Sequence, residues 1–264
     1  MSPRRLHVLP LLALGALLSL EGADARAARR GTSEREHLST ALETGSDLER
    51  RAALRRLSAL GDADARRRLV AALRRLRALG ADRARLGLLR ILAGTACHDE
   101  VRTALLEELQ SRELDERSNL LRETAALGLA RCGDPASQEA LALALHWPSP
   151  GSEAALVAHR ARPLPDALLL RDADVPTAAW YEALALSSSA GTQAPLRRAL
   201  EQPEAPLSTS ALLAAARAQH PLALPTAQRW LTDGSTVEGR LGAVVVTVTL
   251  GDGGALVGAA IVPK

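Results

Sequence analysis

Thr124-Ala125-Ala126-Leu127-Gly128-Leu129-Ala130-Arg131-Cys132-Gly133-Asp134-Pro135-Ala136-Ser137-Gln138-Glu139-Ala140-Leu141 reads as a helix, a break and a second helix. Ala125, Ala126, Leu127, Leu129 and Ala130 are strong helix formers and small enough for close packing. Gly133 can take a left-handed φ after the first helix. Asp134 can cap the second, with Pro135 at its first position, where a missing N–H costs nothing. Ala140, Leu141, Leu143 and Leu145 then supply an apolar face.

The rest of the chain varies this unit. Turns fall near Gly61, Gly94, Gly133, Pro163, Gly191, His220-Pro221 and Gly251, at intervals of 33, 39, 30, 28, 29 and 31 residues. A period near 30 with two helices per period indicates an all-α fold, an α-solenoid of about seven two-helix repeats. Unit one pairs 48–60 with 65–79, placing Leu69, Leu73 and Leu76 on one helix face. Unit two pairs 84–93 with 100–109, unit five 177–188 with 193–200, and unit six 208–218 with 225–231. Unit four is the weakest, interrupted by Pro163 and Pro165. In unit seven, Val244-Val245-Val246-Thr247-Val248-Thr249 is β-branched and favours strand, yet Leu250-Gly251-Asp252 keeps the helical repeat phase. Helix is the favoured reading over 243–262, with a β-like last unit as the alternative.

Composition agrees. Of 264 residues 47% are hydrophobic, with no Phe, one Tyr, three Trp and a single Lys, Lys264. An Ala/Leu/Arg-rich chain poor in aromatics suits closely packed helices, and Arg in place of Lys resembles the codon bias of a GC-rich bacterial genome. Residues 1–27 read as a secretory signal peptide: Arg4 and Arg5, an uncharged run from Val8 to Leu20, then A-x-A matches ending at Ala25 and Ala27. Thirteen residues are too few for a comfortable membrane span. Residues 28–46 form a polar tail or partial helix, and 47–264 the repeat domain. The mature chain is expected in the periplasm or secreted, without a transmembrane segment.

The motifs at 53–62 (Ala-Leu-x-x-Leu-x-x-Leu-Gly-Asp), 126–135 and 241–252 resemble the short HEAT-like repeat family, including its roughly 30-residue form known from phycobilin lyases. The resemblance covers about residues 47–264. It implies stacked helix pairs whose surface binds protein, and no particular chemistry.

No catalytic or metal-binding pattern stands out, and no cofactor is expected. The six His residues (7, 37, 98, 146, 159, 220) lie outside metal-ligand spacing from one another. His98-Asp99-Glu100 reads as a helix start. Ser187-Ser188-Ser189-Ala190-Gly191 lacks the first Gly and the strand of a nucleophile elbow. Cys97 and Cys132 sit at turns of neighbouring units. Export would favour a disulfide, stabilising by about 3.8 kcal/mol on the chain-entropy model. Two buried thiols are the alternative, because neighbouring helices lie about 10 Å apart and bridged Cα atoms must approach within about 7 Å.

Three surfaces are candidate partner sites. Residues 48–90 hold 13 Arg against four acids, and residues 91–264 hold 14 basic residues against 20 acids. Arg66, Arg67, Arg68, Arg74, Arg75 and Arg77 form a basic patch on one helix, read either as a solvated face or as a dock for an acidic partner. The uncharged end, with Leu256, Val257 and Ile261, suggests self-association or a partner. Trp147, in a Pro-rich break, is the best placed aromatic for an exposed hot spot. These features favour an exported, non-catalytic scaffold that binds another protein in the bacterial envelope. Nucleic-acid binding through the basic repeats is the first alternative, disfavoured by export and by scarce aromatics. A lyase- or chaperone-like activity is the second.

Overall fold

In a computed structural model, the structure describes residues 33–111, 116–171, 176–203 and 207–232. All regular structure among them is helical. The signal segment with Ala25 and Ala27, the apolar end with Leu256, Val257 and Ile261, and the helix-or-strand question over 243–262 lie outside these residues. The chain divides into two compact units at Gly80.

The first unit contains α1 (33–44), α2 (Asp47–Leu60) and α3 (Ala63–Ala78). Ser46 and Glu49 form a reciprocal capping box that starts α2. Gly61 ends it at φ 61°, a conformation that glycine adopts without a Cβ penalty. Asp62 then caps α3, accepting from the Ala65 N–H at 2.8 Å while also binding Arg35 at 2.6 Å. Helical spacing brings Leu69, Leu73 and Leu76 to one buried face, and Leu42, Leu54 and Leu57 are buried in the same unit.

The second unit contains α4 (Asp82–Gly94), α5 (Asp99–Leu109), α6 (Glu116–Cys132), α7 (Pro135–Ala144), α8 (Gly151–Ala161), α9 (Asp166–Leu169), α10 (Ala178–Leu186), α11 (Ala190–Glu201), α12 (Ser208–Arg217) and α13 (Ala223–Thr232). Its packing alternates. α4 lies against α6, α6 against α8, α8 against α10 and α10 against α12, while α7, α9 and α11 contact one another in turn. Gly128 permits a close approach: a Cβ there would sit 2.8 Å from the Ala93 Cβ of α4 and 3.0 Å from Leu105 Cδ1 of α5. The break in 124–141 has Gly133 at φ 61° and Asp134 accepting from the Ser137 N–H at 3.1 Å.

Several polar contacts span 29 to 32 residues. Arg102 Nη1 donates to Asp134 Oδ1 at 3.2 Å, Arg162 Nη1 to the Ala130 carbonyl at 3.0 Å and Thr177 Oγ1 to the Leu145 carbonyl at 2.5 Å, each across 32 residues. Arg229 and Trp230 both donate to the Leu200 carbonyl, across 29 and 30 residues.

Two details differ from the sequence reading. The turn expected at Gly191 lies at 187–189 instead, because Ser189 caps α11 by accepting from the Thr192 N–H at 3.3 Å, which puts Gly191 inside the helix. Where the sequence reading places a fourth helix pair, the structure has the full helix α8 followed by the four-residue α9, introduced by Pro165.

Candidate binding cleft at Trp147

α7 stops at Ala144, and the chain keeps turning through the Trp147 N–H, which donates to the Ala144 carbonyl at 3.1 Å. Pro148 and Pro150, lacking N–H groups, end the helical ladder. Gly151 then opens α8, where a Cβ would lie 3.2 Å from Trp147 Cε3, so the indole rests against that helix start. Trp147 is half-buried and borders two clefts.

The larger, 760 Å³, runs from Ser111 and Arg122 to the Trp147–Gly151 elbow. Arg122 is 1% exposed. It donates from Nε and Nη2 to the Ser111 carbonyl at 3.0 and 2.8 Å, and from Nη1 to Asn119 Oδ1 at 2.9 Å. The smaller, 240 Å³, is lined by Trp147, Glu153, Leu156, Thr177, Glu182 and Arg217 among others. Glu182 is the one charged residue of the apolar α10 and its side chain is 4% exposed. Its Oε1 accepts from Arg160 of α8, and Arg217 of α12 stands 3.8 Å from Oε2. Glu153 is oriented by Ser149, whose hydroxyl donates to Oε1 at 2.7 Å.

A third cleft, 440 Å³, brings His159, Asp166, Ser187 and Ser189 together, the residue types of a hydrolytic triad. Their bonding is structural. His159 Nδ1 accepts from the Leu164 N–H at 3.1 Å, and the ring also bonds to the Ala183 backbone. Burial, with Arg160 nearby adding to it, pushes the imidazole below its ordinary value against that backbone bond. Asp166 is held below the usual carboxylate range by hydrogen bonds from Ser189 and Ser187. Ser187 donates to Asp166 Oδ1 at 2.8 Å and accepts from Thr192 Oγ1 at 2.9 Å. Among the described residues, no nucleophile–imidazole hydrogen bond links the group.

The basic patch is built on α3. Arg66 donates to the Gly61 carbonyl at 2.6 Å, Arg68 pairs with Asp64 at 2.9 Å, Arg67 lies 3.7 Å from Asp64, and Arg75 pairs with Glu43. Arg67, Arg74 and Arg75 are exposed, while Arg66, Arg68 and Arg77 are half-buried. Cys97 and Cys132 are joined in a disulfide with a Cα–Cα distance of 5.2 Å, linking the α4–α5 turn to the end of α6. The two sulfurs and the Asp134 carboxylate lie within 4.8 Å of one another, but the bridged sulfurs offer no thiolate and Asp134 is engaged by Ser137 and Arg102. Trp180 and Trp230 are buried and donate to the Leu169 and Leu200 carbonyls.

Sequence reasoning singled out Trp147 but missed Glu182 and Arg217. A lone acid in the apolar run Ala179-Trp180-Tyr181-Glu182-Ala183-Leu184 was the available signal for the first. Nothing marked Arg217. Compared with known proteins, the chain matches no family model and no curated protein.

Proposed function

We propose that this chain is an exported helical-repeat scaffold, without catalysis of its own, that binds another protein in the bacterial envelope. The observation that carries the reading is the recurrence of side-chain contacts across 29 to 32 residues between successive helix pairs. Such spacing is what stacked repeats of about 30 residues produce, and stacked repeats serve mainly as extended binding surfaces. An α-solenoid of about seven HEAT-like units is the architecture we infer from it. The bridge between Cys97 and Cys132 supports export, since disulfides persist in oxidising compartments.

The test has two parts. Fractionation with N-terminal sequencing should recover the chain outside the cytoplasm, beginning just after Ala25 or Ala27; a cytoplasmic chain that retains Met1 would overturn export. Crosslinking of the mature chain in envelope extract should then retain a defined protein, and retention of none would overturn the scaffold role. The mature chain should also leave DNA unshifted at low salt.

A further inference from the structure

We propose that the cleft between Trp147 and Glu182 receives an arginine side chain from a basic segment of the partner, an inference that rests on the scaffold reading above. The cleft offers what a guanidinium needs. Trp147 supplies an aromatic face, on which a planar guanidinium stacks better than an ammonium. Glu182 supplies a carboxylate that is withdrawn from water but incompletely used. Its Oε1 is taken by Arg160, whereas Oε2 accepts no hydrogen bond among the described residues, and Glu182 is one of the residues lining the cleft. The nearest cation to it, Arg217 Nη1, stands at 3.8 Å, beyond hydrogen-bond length, and the Arg217 side chain remains 68% exposed. Glu153, oriented by Ser149, adds a second carboxylate at the mouth.

Arg217 already shows the chemistry, an arginine waiting at the edge of the site. With Arg217 in place, Glu153 and Glu182 are balanced by Arg160 and Arg217. When it swings outward, the cleft carries a net negative charge and a carboxylate oxygen that accepts no hydrogen bond among the described residues, which an incoming guanidinium satisfies. The lining itself favours a basic visitor, because its charged members among the described residues are the carboxylates of Glu153 and Glu182 and the single cation Arg217. Thr177 does not compete for the ligand, since its hydroxyl donates to the Leu145 carbonyl.

The test is calorimetric titration of the disulfide-intact mature chain, at low salt, with an acetylated and amidated Ala-Arg-Ala peptide and its citrulline counterpart. Citrulline keeps the shape and removes the charge. The arginine peptide should bind, with the citrulline peptide about tenfold weaker or worse. Glu182→Gln and Trp147→Ala should each weaken the arginine peptide, the former by about tenfold. Arg217→Ala should tighten it by about threefold, because the resident competitor is removed. Arg217 is exposed, so this variant tests the site even if Glu182→Gln fails to fold, and a purely structural Glu182 would not produce a gain.

Equal behaviour of the two peptides toward both the wild-type and Arg217→Ala chains would overturn the proposal. Salt-reversible self-association abolished by Glu182→Gln would also overturn it, by making a second copy the occupant. If the peptides are not discriminated while crosslinking still retains an envelope protein, the arginine site fails and the scaffold reading stands. If the arginine peptide is discriminated but no envelope protein is retained, the scaffold reading is the one that fails.

Discussion

Gly133 shows how much one residue carries. Its φ of 61° lies where a Cβ is strained, and a Cβ would also meet the Arg162 guanidinium. Making room would also move that guanidinium off the Ala130 carbonyl it donates to, so the backbone cost is a lower bound. Gly133→Ala should destabilise the chain by about 1 kcal/mol or more, read as a lower urea midpoint at unchanged slope. His159 tests burial in another way. Its folded pKa is depressed below 6.5 chiefly by burial, so the unfolded chain takes up the proton first. Stability should therefore be fully present above pH 6.5 and fall as pH drops below it, down to the folded pKa. Thermal melts at pH 7.5 and 5.5 should show this loss, and His159→Gln should flatten it. Asp166 acts at lower pH. Hydrogen bonds from Ser189 and Ser187 depress its pKa, so the stability they provide is present above the unfolded value and lost as pH falls through the folded one.

Between helices, two contacts tie α4, α5 and α6 together beyond their apolar packing. Gly128 lets α6 approach Ala93, and the disulfide links the α4–α5 turn to the end of α6. Gly128→Val should force the helices apart at a cost of about 1–3 kcal/mol, measured by denaturation. Reducing the disulfide should cost up to about 3.8 kcal/mol for the 35-residue separation. Mass measurement should show the 2 Da gained on reduction, and equal masses would mean the bridge was absent. Helix positions were legible in advance because Gly-Asp breaks act locally: glycine permits the left-handed residue and aspartate caps the next amide. The α10–α11 turn lies just before Gly191 because a serine cap, an equally local signal, sets the start of α11.

Across the molecule, charge is the feature that composition reveals and folding modifies. Residues 48–90 are strongly basic, yet Arg68 and Arg75 pair with acids of the same unit and Arg66 binds a backbone carbonyl. By exposure alone, the patch centres on Arg67, Arg74 and Arg75, the last of them already paired with Glu43. Replacing these three with Glu should weaken partner capture more at low than at high salt, as screening dictates; unchanged capture would exclude a role for the patch.

Sequence alone determined the helical class and the breaks at Gly61-Asp62 and Gly133-Asp134, because these follow from side-chain periodicity and from the conformational freedom and capping chemistry of single residues. It also marked Trp147 through the prolines around it. Only tertiary structure decided between bridged and free cysteines, since that depends on a 5.2 Å approach between residues 35 apart. The same holds for the cleft. Trp147, Glu182 and Arg217 come from the α7–α8 elbow, α10 and α12, and their meeting is set by how whole helices pack, which no local pattern encodes.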